Sequence, residues 1–328
     1  MKRILITGAN GFIGSTLTDH ALANDWEVTA AVRTASNRSF LQDPRIRFID
    51  LHFDQERELR RALETAGRFE YIAHIAGATK ALHREDFFHT NAEYTRRLVE
   101  ILNRDDIRPE KFLFLSSLAA MGPANGHSRI RPQDPPKPVS AYGASKRAAE
   151  QYLESLSGFP WVVVQPTAVF GPRDKDFLEL IRLIGRGFEF YIGMKPQQAS
   201  FIYIKDLADL MVAALLHGRA GRKYIASDNR DYTADDLGQG IREVLKRRTL
   251  RLRIPLSVVQ VIAAVAETLG RWQGAIPALN REKLNEIGGA NWWCDATQTF
   301  EELHFAPQYD LQTGIRETVN WSKAQGWL

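Results

Sequence analysis

The sequence predicts a doubly wound α/β fold, a parallel sheet with helices on both faces, followed by a smaller C-terminal lobe. Three observations predict it. Short β-branched runs alternate with longer amphipathic stretches through the first two hundred residues, as strand-helix-strand crossovers require. The first run leads straight into a glycine-rich turn, Gly8 to Gly14. The chain has 328 residues, 44% of them apolar, enough for one large core and a second lobe.

The strands are expected at Arg3–Thr7, Glu27–Val32, Ile46–Asp50, Tyr71–Ile75, Phe112–Ser116 and Trp161–Gln165. Between them Phe12–Asn24, Gln55–Ala66, Arg84–Asn103 and Ala141–Leu156 place apolar residues three to four apart, the spacing of helices packed on a sheet. Prolines at 123, 132, 135, 136 and 138 predict an irregular surface loop over Gly122–Val139, directly after a strand end. Beyond Pro166 come further short strands, Phe201–Ile204, Arg222–Ala226 and Thr249–Ile254. Residues 1–165 therefore read as one domain whose sheet is completed by segments near 201–226, and 166–328 as mainly an interleaved second lobe.

Composition narrows the function. Basic residues exceed acidic ones only by 43 to 39 and are scattered, so no nucleic-acid footprint is visible. A single cysteine, Cys294, excludes an internal disulfide and suits a reducing compartment. The apolar run Ile4–Ile6 reaches Gly8 too soon for a signal sequence or a membrane span, so a cytoplasmic protein without a transmembrane segment is expected.

Thr7-Gly8-Ala9-Asn10-Gly11-Phe12-Ile13-Gly14 ends a strand and opens a helix, the context of a dinucleotide phosphate site of the Rossmann type. Glycines let the backbone approach a pyrophosphate, and free N–H groups at a helix start stabilise its charge. A tight turn without a ligand is the plainer alternative. The second strand ends Ala30-Ala31-Val32-Arg33, without the carboxylate that would accept the adenosine ribose hydroxyls of NAD; Arg33 and Arg38 suit a 2′-phosphate instead. NADP is thus expected over NAD. Asp50 and Leu51, at the end of the third strand, are placed to meet the adenine, although Asp50 reads equally well as a strand-ending turn residue.

Carbonyl reduction needs a proton donor near the oxygen and a group that makes it acidic enough at neutral pH. Tyr142 and Lys146, four apart in a good helix former, share one helix face, where the ammonium would lower the phenol pKa. Such a pair arises about once by chance in a chain this long. Tyr191 and Lys195 form a second match, but Gly193 and Pro196 rule out a helix interior there. Ser116-Ser117 end a strand at the sheet edge where such folds bind ligands.

With these elements in order, the chain resembles extended short-chain dehydrogenase/reductases, the group that includes nucleotide-sugar epimerases. The shared features are the Thr7–Gly14 turn, His74-Ile75-Ala76-Gly77, the Ser116–Gly122 segment, the tyrosine-lysine pair and Pro166-Thr167-Ala168-Val169-Phe170-Gly171-Pro172, spread from residue 1 to about 210. The resemblance implies that Ser117, 25 residues before Tyr142, holds the substrate carbonyl, that Tyr142 is the acid/base, and that Lys146 activates it and binds the ribose. It implies that Asn91, which alone reads as an N-cap, completes a proton relay through a helix carbonyl and water. It also implies that Ile75, Ala76 and Gly77 line the cofactor, above a structural His74, and that Pro166, Thr167 and Val169 wrap the nicotinamide carboxamide. A homodimer is common among such proteins.

Other features carry less. His83 and His89 lack a zinc-ligand pattern, so no metal is expected. Lys246-Arg247-Arg248, with Arg251 and Arg253 alternating with leucines, reads first as a half-exposed strand with a solvated basic face, and second as a rim for a substrate phosphate. Pro255–Leu269 is apolar nearly all round, as for a core helix or a dimer contact, or else a greasy substrate entrance or an interfacial contact.

Two reactions compete. Dehydratases of the family carry an Asp-Glu pair where this chain has Leu118-Ala119, and many epimerases an arginine where it has Gln198-Ala199-Ser200 before Phe201. Val32-Arg33 and the apolar segment look more like the dihydroflavonol-reductase and 3β-hydroxysteroid-dehydrogenase branch. An NADP-dependent reductase or dehydrogenase of a hydrophobic small molecule is the first expectation, a nucleotide-sugar epimerase the second and a non-catalytic NADP-binding protein the third.

Overall fold

The computed structural model describes residues 2–104, 106–273, 281–288 and 291–328. Its strands are β1 (Arg3–Thr7), β2 (Glu27–Ala31), β3 (Arg47–Ile49), β4 (Tyr71–His74), β5 (Lys111–Leu115), β6 (Trp161–Pro166), β7 (Ala168–Phe170), β8 (Phe188–Ile192), β9 (Gln198–Ala199), β10 (Phe201–Tyr203), β11 (Arg222–Ala226), β12 (Tyr232–Thr233) and β13 (Leu250–Ile254). Seven of them form one sheet in the order β11-β6-β5-β4-β1-β2-β3, every neighbour parallel. Strands buried on both faces need near-continuous apolar runs. Accordingly β4 (YIAH) and β6 (WVVVQP) are buried at every position.

The helices are α1 (Phe12–Ala23), α2 (Glu56–Ala66), α3 (Arg84–Phe88), α4 (Tyr94–Leu102), α5 (Ala141–Glu154), α6 (Lys175–Gly185), α7 (Ile204–His217), α8 (Ala234–Leu245), α9 (Leu256–Gln273), α10 (Arg281–Gly288), α11 (Thr297–Leu303) and α12 (Leu311–Ala324). Two apolar cores sandwich the sheet. One joins Leu17 and Ala21 of α1 to Leu207 and Met211 of α7; the other joins Leu59 of α2, Leu98 of α4 and Leu153 of α5. The chain lays β1, β2 and β3 outward in one direction and then returns to place β4 beside β1. That reversal opens a crevice at the carboxyl ends of the strands, the place where open α/β sheets bind ligands.

The structure departs from the sequence reading at four points. The stretch expected as one helix over 84–103 contains a turn of π-helix, His89–Glu93, between α3 and α4. Of the segments expected to complete the sheet, only β11 does so; β10 pairs with β7 in a separate ribbon, while α7 between them covers the sheet. Strand β13 is exposed on both faces at its start: Arg251 is open to solvent as the alternation predicts, but so are Leu250 and Leu252, at 57% and 40%. Its arginines share the side that carries Glu189 of the paired β8, a buried carboxylate that draws cations toward it. The loop Gly122–Val139 is irregular as expected, but it is anchored by the Ile130–Cys294 bridge and by Lys137 N–H donating to Met121 O at 2.7 Å.

Candidate active site

The glycine turn sits at the crevice between β1 and β4. Gly8 has φ +69°, and a Cβ there would lie 2.8 Å from Ala76 N, so the turn and the end of β4 touch backbone to backbone. A Cβ on Gly14 would collide with the Gly8 carbonyl. Gly11 is the N-cap of α1 and offers no side chain to the first N–H groups. Asn10, Phe12 and Ile13 line the same turn, half-buried.

A buried chain of hydrogen bonds fixes the floor. Thr7 Oγ1 accepts from the Ile75 and Ala76 N–H groups, both at 3.1 Å, so its own proton goes to His74 Nδ1, 2.8 Å away. Thr95 Oγ1 donates to Asn91 O at 2.7 Å, which leaves His74 Nε2 to donate to Thr95 at 3.0 Å. His74 is therefore the neutral Nε2–H tautomer. Burial, and then the Lys146 ammonium, pull its pKa from 6.5 down to about 3.

Asn91 lies inside the π turn and is fully buried, so it is not the N-cap that its local sequence suggested. The extra residue of a π turn rotates a side chain off the regular helix face. Asn91 Oδ1 accepts from Ala78 N–H at 2.7 Å, and Nδ2 donates to Ala78 O at 3.0 Å and to Ser145 Oγ at 2.9 Å. The asparagine thus clamps the segment after Gly77 to α5. A Cβ at Gly77 would fall 2.8 Å from Asn91 Oδ1 and 3.0 Å from Lys146 Nζ, so the glycine keeps that approach open.

Helix α5 begins at Ser140, whose hydroxyl accepts from Gly143 N–H at 2.9 Å. One turn on, Tyr142 and Lys146 lie four apart on the helix. Ser117, two residues past β5, caps the short turn that follows, its Oγ accepting from Ala119 N–H at 3.2 Å, and it lies near enough to the Tyr142 phenol to bear on its acidity. Burial pushes that phenol up to about 12, the Ser117 hydroxyl pulls against it, and the Glu286 carboxylate pushes it further up. Lys146 Nζ donates to Leu115 O at 2.9 Å and stands 4.9 Å from the centre of the Phe114 ring. Burial draws the ammonium down to about 8, opposed by the fully buried Glu150. Glu150 in turn receives the Ser116 hydroxyl, Gln165 Nε2 at 2.8 Å and Arg147 at 3.2 Å. The motif match set aside in the sequence, Tyr191 and Lys195, does leave β8 for a turn at Gly193, and Tyr191 is spent on Glu189 at 2.6 Å.

Of the residues expected to hold the cofactor, Pro166 closes β6, Thr167 is held by Ser200 O at 2.6 Å and Ala226 O at 3.0 Å, and Val169 lies in β7. At the far end of the turn, Asp50 Oδ2 accepts from Thr34 N–H at 3.0 Å and Oγ1 at 2.7 Å, bracing the loop after β2, while its Oδ1 is buried without a hydrogen-bond partner. Leu51 beside it is buried. Arg33 is exposed; Arg38 stacks 4.3 Å from the Phe48 ring. Among the described residues neither forms a salt bridge. A nicotinamide dinucleotide fits this set: a side-chain-free turn at a helix start, an orphaned acceptor at its adenosine end, and an open approach to Lys146.

Two residues had no sequence signal. Glu286 of α10 accepts the Ser140 hydroxyl at 2.5 Å, bringing a carboxylate of the C-terminal region to the start of α5. Thr95 completes the His74 chain.

The fold and crevice define a class, and comparison with known proteins agrees. Residues 4–227 match the NAD dependent epimerase/dehydratase family, and the chain belongs to it. It is an NAD(P)-dependent enzyme of the extended short-chain dehydrogenase/reductase type. A ceramide reductase from Caulobacter vibrioides is 26% identical over 327 residues, covering 99% of this chain and 96% of that protein. A UDP-glucose 4-epimerase from Vibrio cholerae is also 26% identical, over 97% and 94%. The crystal structure of gox2253 superposes with a TM-score of 0.82 at 22% identity, covering 99% of both chains. Among the described residues no helix is long and apolar enough to cross a membrane.

Proposed function

We propose that the chain is an NADPH-dependent reductase of a ketone on a hydrophobic substrate, with 166–328 forming most of the substrate lobe. The observation that carries this reading is the buried Tyr142 phenol with Ser117 beside it, Ser117 being followed directly by Leu118 and Ala119, both buried. One protonated phenol stands beside Ser117, and Leu118-Ala119 after that serine bring no acidic pair to the strand end. That suits addition of hydride and proton to a carbonyl and gives no help to dehydration. Bound NADPH would supply the hydride. Ser117 orients the carbonyl oxygen, Tyr142 delivers the proton to it, and Lys146 with the Asn91 carbonyl carries the replacement proton inward from solvent. Leu118 belongs to an apolar cluster with Met121, Ile130 and Cys294, flanked by Trp292, which favours an apolar substrate wall. The similarity to a ceramide reductase along the whole chain supports the same choice.

Arg33 and Arg38, neither in a salt bridge among the described residues although Arg33 acts on the nearby Asp50, support the 2′-phosphate preference. If NAD binds at least as tightly as NADP and Arg33→Ala leaves NADP affinity unchanged, the preference is wrong. The reaction is tested with NADPH, a panel of long-chain ketones and UDP-glucose. Ketone-dependent loss of NADPH absorbance, reduced about 100- to 10,000-fold in Tyr142→Phe, is expected. Turnover of UDP-glucose with no net absorbance change would establish instead the epimerase reading that the Vibrio relative favours.

A further inference from the structure

The ribbon of β8 and β13 is turned inside out. Its parallel register pairs Leu250 with Phe188 and Leu252 with Phe190, and strand alternation puts all four on one face. They are exposed at 57%, 44%, 40% and 46%, with the two phenylalanine rings stacked at 6.4 Å. The opposite face carries the polar side chains. There the buried Glu189 binds Arg242 of α8 at 2.5 Å, Tyr191 at 2.6 Å and Thr249, and Arg253 binds Asp235 at 2.7 Å. A sheet with one solvated face normally buries its apolar side; this one leaves its apolar side exposed, while Glu189, Tyr191 and Arg253 of the polar side are paired within the protein. Directly after β13, the first turns of α9 bury Val259 and Ala263 against Leu284 and expose Val258, Val261 and Ile262, which lie at helical spacing on one face. The turn into β13, Lys246-Arg247-Arg248, is exposed, and Leu250 N–H donating to Gly187 O at 2.8 Å holds it beside Arg186. Among the described residues these four cations make no salt bridge.

We propose that this face docks on an anionic lipid surface, the apolar side chains entering the interfacial layer while the Lys246–Arg248 turn and Arg186 meet the headgroup phosphates. Charge complementarity selects this occupant. A twofold contact between copies of the chain would bring like-charged turns together at the same patch, whereas an anionic bilayer supplies apolar and negative layers side by side. The contact is peripheral, since no described helix can span a bilayer. It does not depend on what the active site reduces.

Sedimentation of the purified full chain with phosphatidylglycerol-containing vesicles and with pure phosphatidylcholine vesicles tests the assignment without any turnover. Binding to the anionic vesicles is expected, weakening with salt. Both Phe188→Ser/Leu250→Ser and Arg247→Glu/Arg248→Glu should weaken it about tenfold or more while melting temperature and NADPH affinity are retained. Equal binding to both vesicle types, or variants that bind like the parent, would overturn it. So would a concentration-dependent dimer in the ultracentrifuge that Phe188→Ser/Leu250→Ser dissociates, because the face would then belong to a second copy.

Discussion

Tyr142 and Lys146 are driven in opposite directions by the same cause. Exclusion from water raises the phenol to about 12 and lowers the ammonium to about 8, so both groups are pushed toward neutrality. A phenol that keeps its proton well above neutral pH suits the reductive direction, where it must be an acid. Its two other neighbours pull apart, since Ser117 stabilises the phenolate and Glu286 destabilises it. Removing the Glu286 charge should therefore lower the phenol pKa, and removing the Ser117 hydroxyl should raise it. In pH profiles of kcat/KM for reduction, the alkaline limb is expected to move to lower pH in Glu286→Gln and to higher pH in Ser117→Ala, with Glu286→Asp close to the parent. A Glu286→Gln profile that falls in amplitude without moving would reduce that residue to a brace on Ser140.

At the level of elements, periodicity predicted where helices and strands run and missed how two of them are built. The 84–103 helix was legible in span, but one added residue in the His89–Glu93 turn leaves the apolar spacing almost unchanged, so the π turn that sets Asn91 was not. In β13, alternation showed that leucines and arginines take opposite faces but not that the leucine face stays exposed; the buried Glu189 of β8 holds the other face, and it lies 62 residues away in the chain from Arg251. The glycine turn, Ser117 and the Tyr142–Lys146 pair were readable because each occupies a fixed place on one element. Glu286 was not, because only tertiary packing brings α10 to Ser140. The π turn has its own test. Thr95→Val keeps the shape but leaves His74 Nε2–H and Asn91 O without their partner. A loss of about 1–3 kcal/mol in urea unfolding is expected, largely restored in Thr95→Ser.

Over the whole molecule, the same hydrogen-bond chain makes stability depend on pH. His74 lies between β1 and α4, its Nδ1 taking the Thr7 proton and its Nε2–H given to Thr95, so a second ring proton has no acceptor unless the sheet opens. Its pKa falls from 6.5 to about 3 on folding. A depressed histidine favours the native state fully above the unfolded value and progressively less as pH falls toward the folded one, because the unfolded chain takes up a proton that the native chain refuses. The slope is about 1.4 kcal/mol per pH unit below 6.5. Carboxylates lowered to about 2 by arginines, such as Asp43 and Glu93, add their own loss only nearer their ordinary values of 3.8 and 4.5. From the histidine alone a fall of about 2 kcal/mol in unfolding free energy is expected between pH 7 and pH 5, against the opposite trend of Asp206 and Asp228, whose carboxyls burial raises. His74→Gln should be less stable at pH 7, through lost hydrogen bonds, and yet show a much flatter dependence over the same interval. Equal slopes in the parent and His74→Gln would mean that the imidazole is protonated in the native state, and the tautomer assignment would fall with it.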